Sequence, residues 1–204
     1  MSTSPFYFLA GIVTGPPVWL IFRLRASGKE HIPRAGGFVL SANHLSNLDP
    51  WALGLPLFPH RQIRFMAKAE LYRFPLKPII DAAGAFRVRR GEGDTEAIAT
   101  AVQLAREGEV VAIFPEGTRR KKGLNKTRAA RPHTGAVRVA LEAEVPLIPA
   151  AIGGTDRLKR LGPLRVAYGT PIVLDDLRDR DEREAAETGT ERLMAAIAEL
   201  ERRL

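Results

Sequence analysis

Short apolar runs alternate with segments of helical periodicity along most of the chain. Two runs, FVLSA at residues 38–42 and VVAIF at residues 110–114, are typical of strands buried on both faces of a sheet. Further strands are predicted at residues 63–67, 85–88, 147–152, 164–168 and 171–173. Helices are predicted at residues 50–57, 75–83, 94–108, 135–143 and from about residue 184 onward. This alternation predicts one α/β domain whose mixed, largely parallel sheet is flanked by helices.

The N-terminal segment differs from the rest because no charged side chain precedes Arg23. A glycine and two prolines at residues 15–17 predict a bend between two short helical arms, each too short to cross a bilayer. Apolar arms followed by Arg23 and Arg25 are typical of a segment that lies in the cytoplasmic face of a membrane. The alternative is a buried N-terminal helix that packs on the domain. We therefore expect residues 1–27 to form an apolar, membrane-associating helical segment, and residues 28–204 to form the α/β domain.

Composition excludes some kinds of chemistry and favours certain partners. The chain contains no cysteine, which excludes disulfides, thiolate nucleophiles and cysteine-bound metals. Its 31 Lys and Arg residues exceed its 23 Asp and Glu residues and give a formal net charge of +8. A basic protein attracts polyanions, which here means nucleic acid, anionic lipid or phosphorylated substrates.

The first candidate for catalysis is a histidine with a nearby carboxylate, in the sequence NHLSNLDP at residues 43–50. His44 directly follows a predicted strand, and a turn could bring Asp49 back to the imidazole ring. A carboxylate on one ring nitrogen fixes the tautomer and leaves the other nitrogen to accept a proton. The sequence lacks the G-x-S-x-G motif of serine hydrolases, so the nucleophile should belong to the substrate. The alternative is a capping aspartate beside an ordinary loop histidine.

The second candidate is the sequence IFPEGTRR at residues 113–120, which follows the second buried strand. Arg119 could hold a phosphate through its planar guanidinium group. Glu116 could hold that arginine or bind a substrate hydroxyl. Backbone amides near Gly117 and Thr118 are candidate donors to an oxyanion. The alternative is a structural salt bridge in a turn.

Together, N-H-x-x-x-x-D and F-P-E-G-T-R, about 70 residues apart, resemble the glycerolipid acyltransferase family, whose best-known members acylate lysophosphatidate. The resemblance extends to GKEHIP at residues 28–33, MAKAEL at 66–71, GAFRVRR at 84–90 and VPLIPAAI at 145–152. It implies that Lys68 and Arg90 contact the acceptor phosphate, with Arg89 as an adjacent competitor for the latter role. The family often has serine after the arginine of the third block, where this chain has Arg120.

This resemblance implies a glycerol-phosphate acyltransferase-like fold, with residues 28–204 as the catalytic domain, and a direct acyl transfer. The donor would be acyl-CoA or an acyl carrier protein thioester. The acceptor would be the hydroxyl of 1-acyl-sn-glycerol-3-phosphate, a lysophospholipid, and the product phosphatidate. His44 would act as the general base with Asp49, and the transfer would need no metal and no cofactor. The alternatives are a relative with another acceptor (glycerol-3-phosphate, a lyso-aminolipid or a glycolipid) and a non-catalytic protein that binds anionic membranes.

Residues 119–131 contain seven lysines and arginines and no acidic residue. Such a segment could contact anionic head groups or a phosphorylated carrier, or be a solvated loop. Because it has no aromatic residue for base stacking, we expect no nucleic-acid partner. Together with the apolar N-terminus, it predicts a peripheral or monotopic protein on the anionic cytoplasmic face of the cell membrane.

Overall fold

The computed structural model describes residues 5–68, 80, 83–88, 94–117 and 132–204. These residues form a seven-stranded sheet with the order β1-β7-β6-β2-β5-β3-β4. The strands are β1 (Arg25–Ser27), β2 (Phe38–Ala42), β3 (Ile63–Lys68), β4 (Ala85–Val88), β5 (Val110–Ile113), β6 (Leu147–Gly153) and β7 (Arg165–Tyr168). The helices are α1 (Pro5–Ile21), α2 (Asp49–Gly54), α3 (Asp94–Arg106), α4 (Gly135–Ala143) and α5 (Glu182–Arg202). Short 3-10 helices lie at Lys29–His31, Leu55–Leu57, Thr155–Arg160 and Asp175–Leu177.

The sheet is mostly parallel, and β6 is the strand that has a parallel neighbour on one side and an antiparallel neighbour on the other. Strands β6, β2, β5, β3 and β4 are paired in parallel, whereas β7 runs antiparallel to β6 and β1 runs parallel to β7. Every residue of the central strand β2 is buried. A parallel strand covered on both faces requires such a continuous apolar run. The predicted α/β class, with a largely parallel sheet flanked by helices, is confirmed.

Two apolar clusters cover the opposite faces of the sheet. Successive residues of a strand point to opposite sides. Leu40 of β2 therefore packs in the cluster that contains Val18 of α1 and Leu53 of α2. Val39 packs in the other cluster, with buried residues of α3, α4 and α5 such as Ala101, Val137 and Leu193. Helices α1 and α2 thus lie on one face of the sheet and α3 to α5 on the other.

The N-terminal segment forms one continuous helix, so the predicted division into two helical arms at residues 15–17 is wrong. Pro16 and Pro17 lie inside α1 on its exposed side. The opposite side packs so closely on the domain that a Cβ atom at Gly11 would lie 2.4 Å from the Phe58 ring. Tertiary packing of this kind, rather than intrinsic propensity, supplies most of a helix's stability. We conclude that contact with the domain keeps α1 helical across the two prolines.

Among the described residues, no helix is both long enough and apolar enough to cross a membrane. Helix α1 nevertheless has two apolar sides. Its packed side includes Tyr7, whose burial raises its pKa to about 12. Large apolar side chains of α1 are also exposed to solvent, namely Phe8, Leu9, Ile12, Val13, Trp19, Leu20 and Ile21, which we call the α1 stripe. Of these, Phe8 also contacts Phe58, at a ring-centroid distance of 5.4 Å.

Three other sequence-based predictions need comment. Residues 171–173 are not a strand, although Ile172 donates one backbone hydrogen bond to Leu147. The edge strand β1 was not predicted, because its sequence RAS has no apolar run. The predicted helix at residues 75–83 lies almost wholly outside the described residues.

Candidate active site

Three loops meet at one edge of the sheet. Because β2 pairs in parallel with both β5 and β6, the carboxyl ends of these strands lie side by side. His44 lies two residues beyond β2, Glu116 three residues beyond β5, and Thr155 two residues beyond β6. Such an edge, outside the carboxyl ends of parallel strands, is where open α/β sheets bind ligands.

The structure brings the first predicted pair together. Nδ1 of His44 lies 2.8 Å from Oδ2 of Asp49. The turn between the two residues is stabilised by the same carboxylate oxygen, which accepts hydrogen bonds from the backbone amides of Leu45 and Ser46 at 2.6 and 2.8 Å. Asp49 also begins α2, so the helix fixes the backbone position of this side chain.

This geometry determines which ring nitrogen of His44 carries the proton. Backbone amides can only donate hydrogen bonds, so Oδ2 of Asp49 is an acceptor. Nδ1 of His44 must therefore donate to it, which in the neutral ring leaves the lone pair on Nε2. The His44 side chain is 18 % exposed, whereas Asp49 is fully buried. The arrangement can accept a proton from a bound substrate at Nε2 and stabilise the resulting imidazolium ion with the carboxylate.

Phe114, directly after β5, holds the face of the same ring. The ring centroids of His44 and Phe114 are 4.3 Å apart, and their planes are inclined by 22°. Asp49 therefore fixes the edge of the imidazole ring and Phe114 its face. Phe114 was not predicted as a site residue, although it precedes the P-E-G-T-R sequence.

Asn43 anchors the loop that carries His44. Its fully buried amide group donates to the Ile152 carbonyl at 2.9 Å and accepts from the Ile152 amide at 2.7 Å, as a backbone pair in a sheet would. The same amide nitrogen donates to Glu201 of α5 at 2.9 Å. These bonds extend the pairing of β2 with β6 by one residue, so that His44 leaves the sheet from a fixed position.

The turn after β5 is also well defined up to Gly117. Gly117 has a φ of 65°, and its amide donates to the Phe114 carbonyl at 3.1 Å. Because this amide already donates within the turn, the hypothesis that it stabilises an oxyanion finds no support in this geometry. The His133 ring packs on the turn, where a Cβ at Gly117 would lie 2.5 Å from it, and the His133 amide donates to Pro115 at 2.7 Å. Glu116 lies in the same turn.

The remaining predicted residues are less well covered by the described part of the chain. Lys68 is the last residue of β3, which ends at the same edge of the sheet as β5. Arg90, Thr118 and Arg119 lie outside the described residues, and so does the basic segment 119–131. No group of three or more His, Asp or Glu side chains among the described residues is arranged to hold a metal ion.

Sequence reasoning missed one direct partner of Asp49. The Thr155 hydroxyl donates to Oδ1 of Asp49, and Thr155 is only 3 % exposed. A signal for it exists in the sequence, because a hydroxyl residue follows two glycines just beyond the predicted strand at residues 147–152. Loops at this end of parallel strands share one edge of the sheet.

Comparisons with known proteins agree with the predicted family. The Acyltransferase family model matches residues 23–153. The chain is 33% identical over 185 residues to 1-acyl-sn-glycerol-3-phosphate acyltransferase of Bacillus subtilis, which covers 89% of this chain and 89% of that protein. It is 28% identical over 147 residues to the Borreliella burgdorferi protein of the same name, covering 68% of this chain and 55% of that protein.

A solved structure has the same fold. The 1-acyl-sn-glycerophosphate (LPA) acyltransferase PlsC from Thermotoga maritima superposes with a TM-score of 0.67. The two sequences are 24% identical, and the match covers 95% of this chain and 78% of the other. The predicted family and the predicted enzyme class, an O-acyltransferase, are confirmed. The chain belongs to the Acyltransferase family.

Proposed function

We propose that this enzyme transfers a fatty acyl group from acyl-CoA or an acyl carrier protein thioester to the hydroxyl of 1-acyl-sn-glycerol-3-phosphate, forming phosphatidate. The observation that carries the proposal is the contact between His44 and the buried Asp49 at the edge of the sheet. The pair can act as a general base but contains no nucleophile. This suits a reaction in which a substrate hydroxyl attacks an activated acyl group. The name of the Bacillus subtilis relative agrees with this acceptor.

The proposed reaction is a direct transfer in which His44 first accepts and then returns a proton. The acceptor O–H bond breaks as its proton moves to Nε2 of His44, and the oxygen bonds to the thioester carbonyl carbon. Collapse of the tetrahedral intermediate breaks the C–S bond. The thiolate, a good leaving group because thiol pKa values are about 8.5 in the absence of perturbation, takes the proton from the imidazolium. Asp49 balances the charge of the ring in between, and no step calls for a metal or a cofactor.

The acceptor phosphate would be held by cations that follow the neighbouring strands. Lys68 ends β3, and β4, which pairs in parallel with β3, ends two residues before Arg90. Arg119 follows β5 after the P-E-G-T turn. A guanidinium group binds phosphate through two parallel hydrogen bonds, which would orient the hydroxyl toward His44. Glu116 would hold the substrate or one of these arginines.

The same proposal locates the enzyme at the cytoplasmic face of the cell membrane as a peripheral or monotopic protein. Seven large apolar side chains of the α1 stripe are exposed, and the exposed cations Arg23, Arg25 and Lys29 follow them. An apolar surface beside cations suits insertion into the head-group region of an anionic membrane. Residues 1–27 would thus serve membrane contact and residues 28–204 catalysis, and the basic segment 119–131 would add attraction to anionic lipid.

The experiment is a thioester-consumption assay with a panel of acceptors. Acyl-CoA and acyl carrier protein thioesters are each offered with 1-acyl-sn-glycerol-3-phosphate, glycerol-3-phosphate, a lyso-aminolipid and a lyso-glycolipid. We expect the highest kcat/KM with 1-acyl-sn-glycerol-3-phosphate and identify the product by mass spectrometry. A strong preference for another acceptor would contradict the proposed acceptor but support the proposed acyl-transfer reaction. Thioester stable in every combination would refute the proposed activity.

A further inference from the structure

We infer that Thr155 is a positioning residue for the His44–Asp49 pair, an inference that rests on the proposed function. The Thr155 hydroxyl donates to Oδ1 of Asp49, the carboxylate oxygen that His44 does not contact. Thr155 is 3 % exposed and Asp49 is fully buried, so water does not compete for this bond. The bond joins two loops whose residues are 106 positions apart in the sequence.

The two oxygens of Asp49 depend on different parts of the chain. Within the described part of the chain, Oδ2 accepts only from its own loop, through the His44 ring and the amides of Leu45 and Ser46. Oδ1 accepts from Thr155, which lies beyond β6. The terminal torsion of an aspartate side chain has broad minima, so its partners determine its orientation. Held at both oxygens, the carboxylate keeps Oδ2 directed at Nδ1 of His44.

The turn after β6 brings the hydroxyl to this place. Gly154 has a φ of 93°, which favours glycine, and a Cβ there would lie 2.4 Å from the Pro163 carbonyl oxygen. This turn ends the strand and makes Thr155 the first residue of the 3-10 helix Thr155–Arg160. Thr155 thus occupies a position fixed by backbone geometry, beside a strand that pairs with β2.

A role in positioning predicts an effect on the chemical step rather than on binding. Asp49 matters most when His44 carries the proton of the acceptor, because the carboxylate then faces a full positive charge. A carboxylate that rotates away weakens this stabilisation in the transition state. Thr155 itself is too deeply buried to contact either substrate. Its loss should therefore lower kcat and leave the KM values for donor and acceptor unchanged.

The test compares Thr155→Val, which keeps the shape and removes the hydroxyl, with Thr155→Ser, which keeps the hydroxyl. We expect Thr155→Val to lower kcat by about tenfold, the loss of one hydrogen bond to a charged group, with both KM values within about twofold of wild type. Thr155→Ser should recover most of the lost kcat. The matched control is Thr190→Val, because Thr190 is also buried and its hydroxyl donates to the Ala186 carbonyl within α5. This control should keep the wild-type kcat.

A nuclear magnetic resonance measurement gives a second readout that needs no acyl transfer. The Nδ1 proton of His44, identified by its loss in His44→Ala, should give a downfield signal that broadens in Thr155→Val and persists in Thr155→Ser and Thr190→Val. An unchanged signal and an unchanged kcat in Thr155→Val would overturn the inference, as would Thr155→Ser being as impaired as Thr155→Val. A wild-type protein that transfers no acyl group would instead refute the proposed function, while the signal would still test Thr155.

Discussion

At the scale of single residues, His44 is held on two sides by partners of different kinds. Asp49 binds the edge of the ring through a hydrogen bond, and Phe114 packs against its face at a centroid distance of 4.3 Å. Orientation of this kind is what a general base requires, because proton transfer depends on the angle at the accepting lone pair. The buried carboxylate of Asp49 contributes a negative charge as well as this orientation, and mutation can separate the two contributions.

Asp49→Asn should remove the charge and keep the geometry. The amide oxygen can still accept from His44 and the two loop amides, and the amide nitrogen can donate to the Thr155 hydroxyl, which accepts as well as donates. We therefore expect a folded protein whose kcat is lower by roughly 10²–10⁴-fold. The measurement is steady-state kinetics with thermal melting of each variant.

The control for this variant is Asp156→Asn. Asp156 pairs with Arg157 near the surface, at an N–O distance of 3.5 Å. This change should leave kcat at the wild-type value. A folded Asp49→Asn protein with wild-type kcat would mean that the charge of Asp49 plays no part in catalysis.

Proximity in sequence determined which of these contacts could be predicted. His44 and Asp49 are five residues apart in one loop, so spacing alone could suggest that they meet. Thr155 and the Asn43 partner Ile152 are more than 100 positions away from the residues that they contact. Only the order of strands in the sheet brings them close, and that order cannot be derived from local periodicity.

At the scale of secondary-structure elements, α1 is both part of the folded domain and an apolar surface. Its packed side contacts the Leu55 and Phe58 side chains, and the Trp51 ring nitrogen donates to Thr14 at 3.2 Å. Its α1 stripe faces solvent. The two interpretations of the N-terminus that its sequence left open, packing on the domain and contact with a membrane, therefore concern different sides of the same helix.

Replacing exposed residues of the α1 stripe should weaken membrane binding without unfolding the helix. The variant carries Leu9→Gln, Val13→Gln and Leu20→Gln, at positions that are 58%, 62% and 78% exposed. Since each apolar side chain contributes on the order of 1 kcal/mol or more when removed from water, we expect at least a tenfold weaker affinity for neutral vesicles at any salt concentration. Co-sedimentation with vesicles is the measurement.

Two controls accompany this variant. Leu161→Gln with Val173→Gln replaces exposed apolar residues outside α1 and should bind like wild type. Tyr7 reports whether α1 remains packed, because burial raises its pKa from 10.0 to about 12. Between pH 10 and about 12 a packed Tyr7 stays neutral, whereas an unpacked phenol ionises. The packed state therefore keeps its full stability below pH 10 and loses stability as pH rises toward 12. A packed variant that binds neutral vesicles as well as wild type would contradict the membrane role of the stripe.

The errors at this scale have a common origin in tertiary structure. The helix break predicted at residues 15–17 followed from the intrinsic effect of proline on an isolated helix. Packing on α2 and on the segment after it, through Trp51, Leu55 and Phe58, overrides it. Strand β1 has only three residues and exists through pairing with β7. The central strands β2 and β5 were predicted closely, because a continuous apolar run is what burial on both faces of a sheet requires.

At the scale of the whole molecule, the candidate site residues lie at one edge of the sheet, and helix α2 connects this edge to α1. Strands β2, β5 and β6 deliver His44, Phe114 and Thr155 to the same edge. Helix α2 begins at Asp49 and packs against α1. In the proposed enzyme, a lipid acceptor held at the membrane by its chain would thus meet a base whose loop leads into α2, the helix that contacts α1.

The most direct test of this account is the rate at which wild type and His44→Ala form phosphatidate from 1-acyl-sn-glycerol-3-phosphate and an acyl thioester, measured by mass spectrometry. His60→Ala is the matched control, because His60 is exposed and precedes β3 at the opposite edge of the sheet. We predict that wild type and His60→Ala form phosphatidate at similar rates, and that folded His44→Ala is slower by about 10²–10⁴-fold. Phosphatidate formed by folded His44→Ala at the wild-type rate would contradict the account.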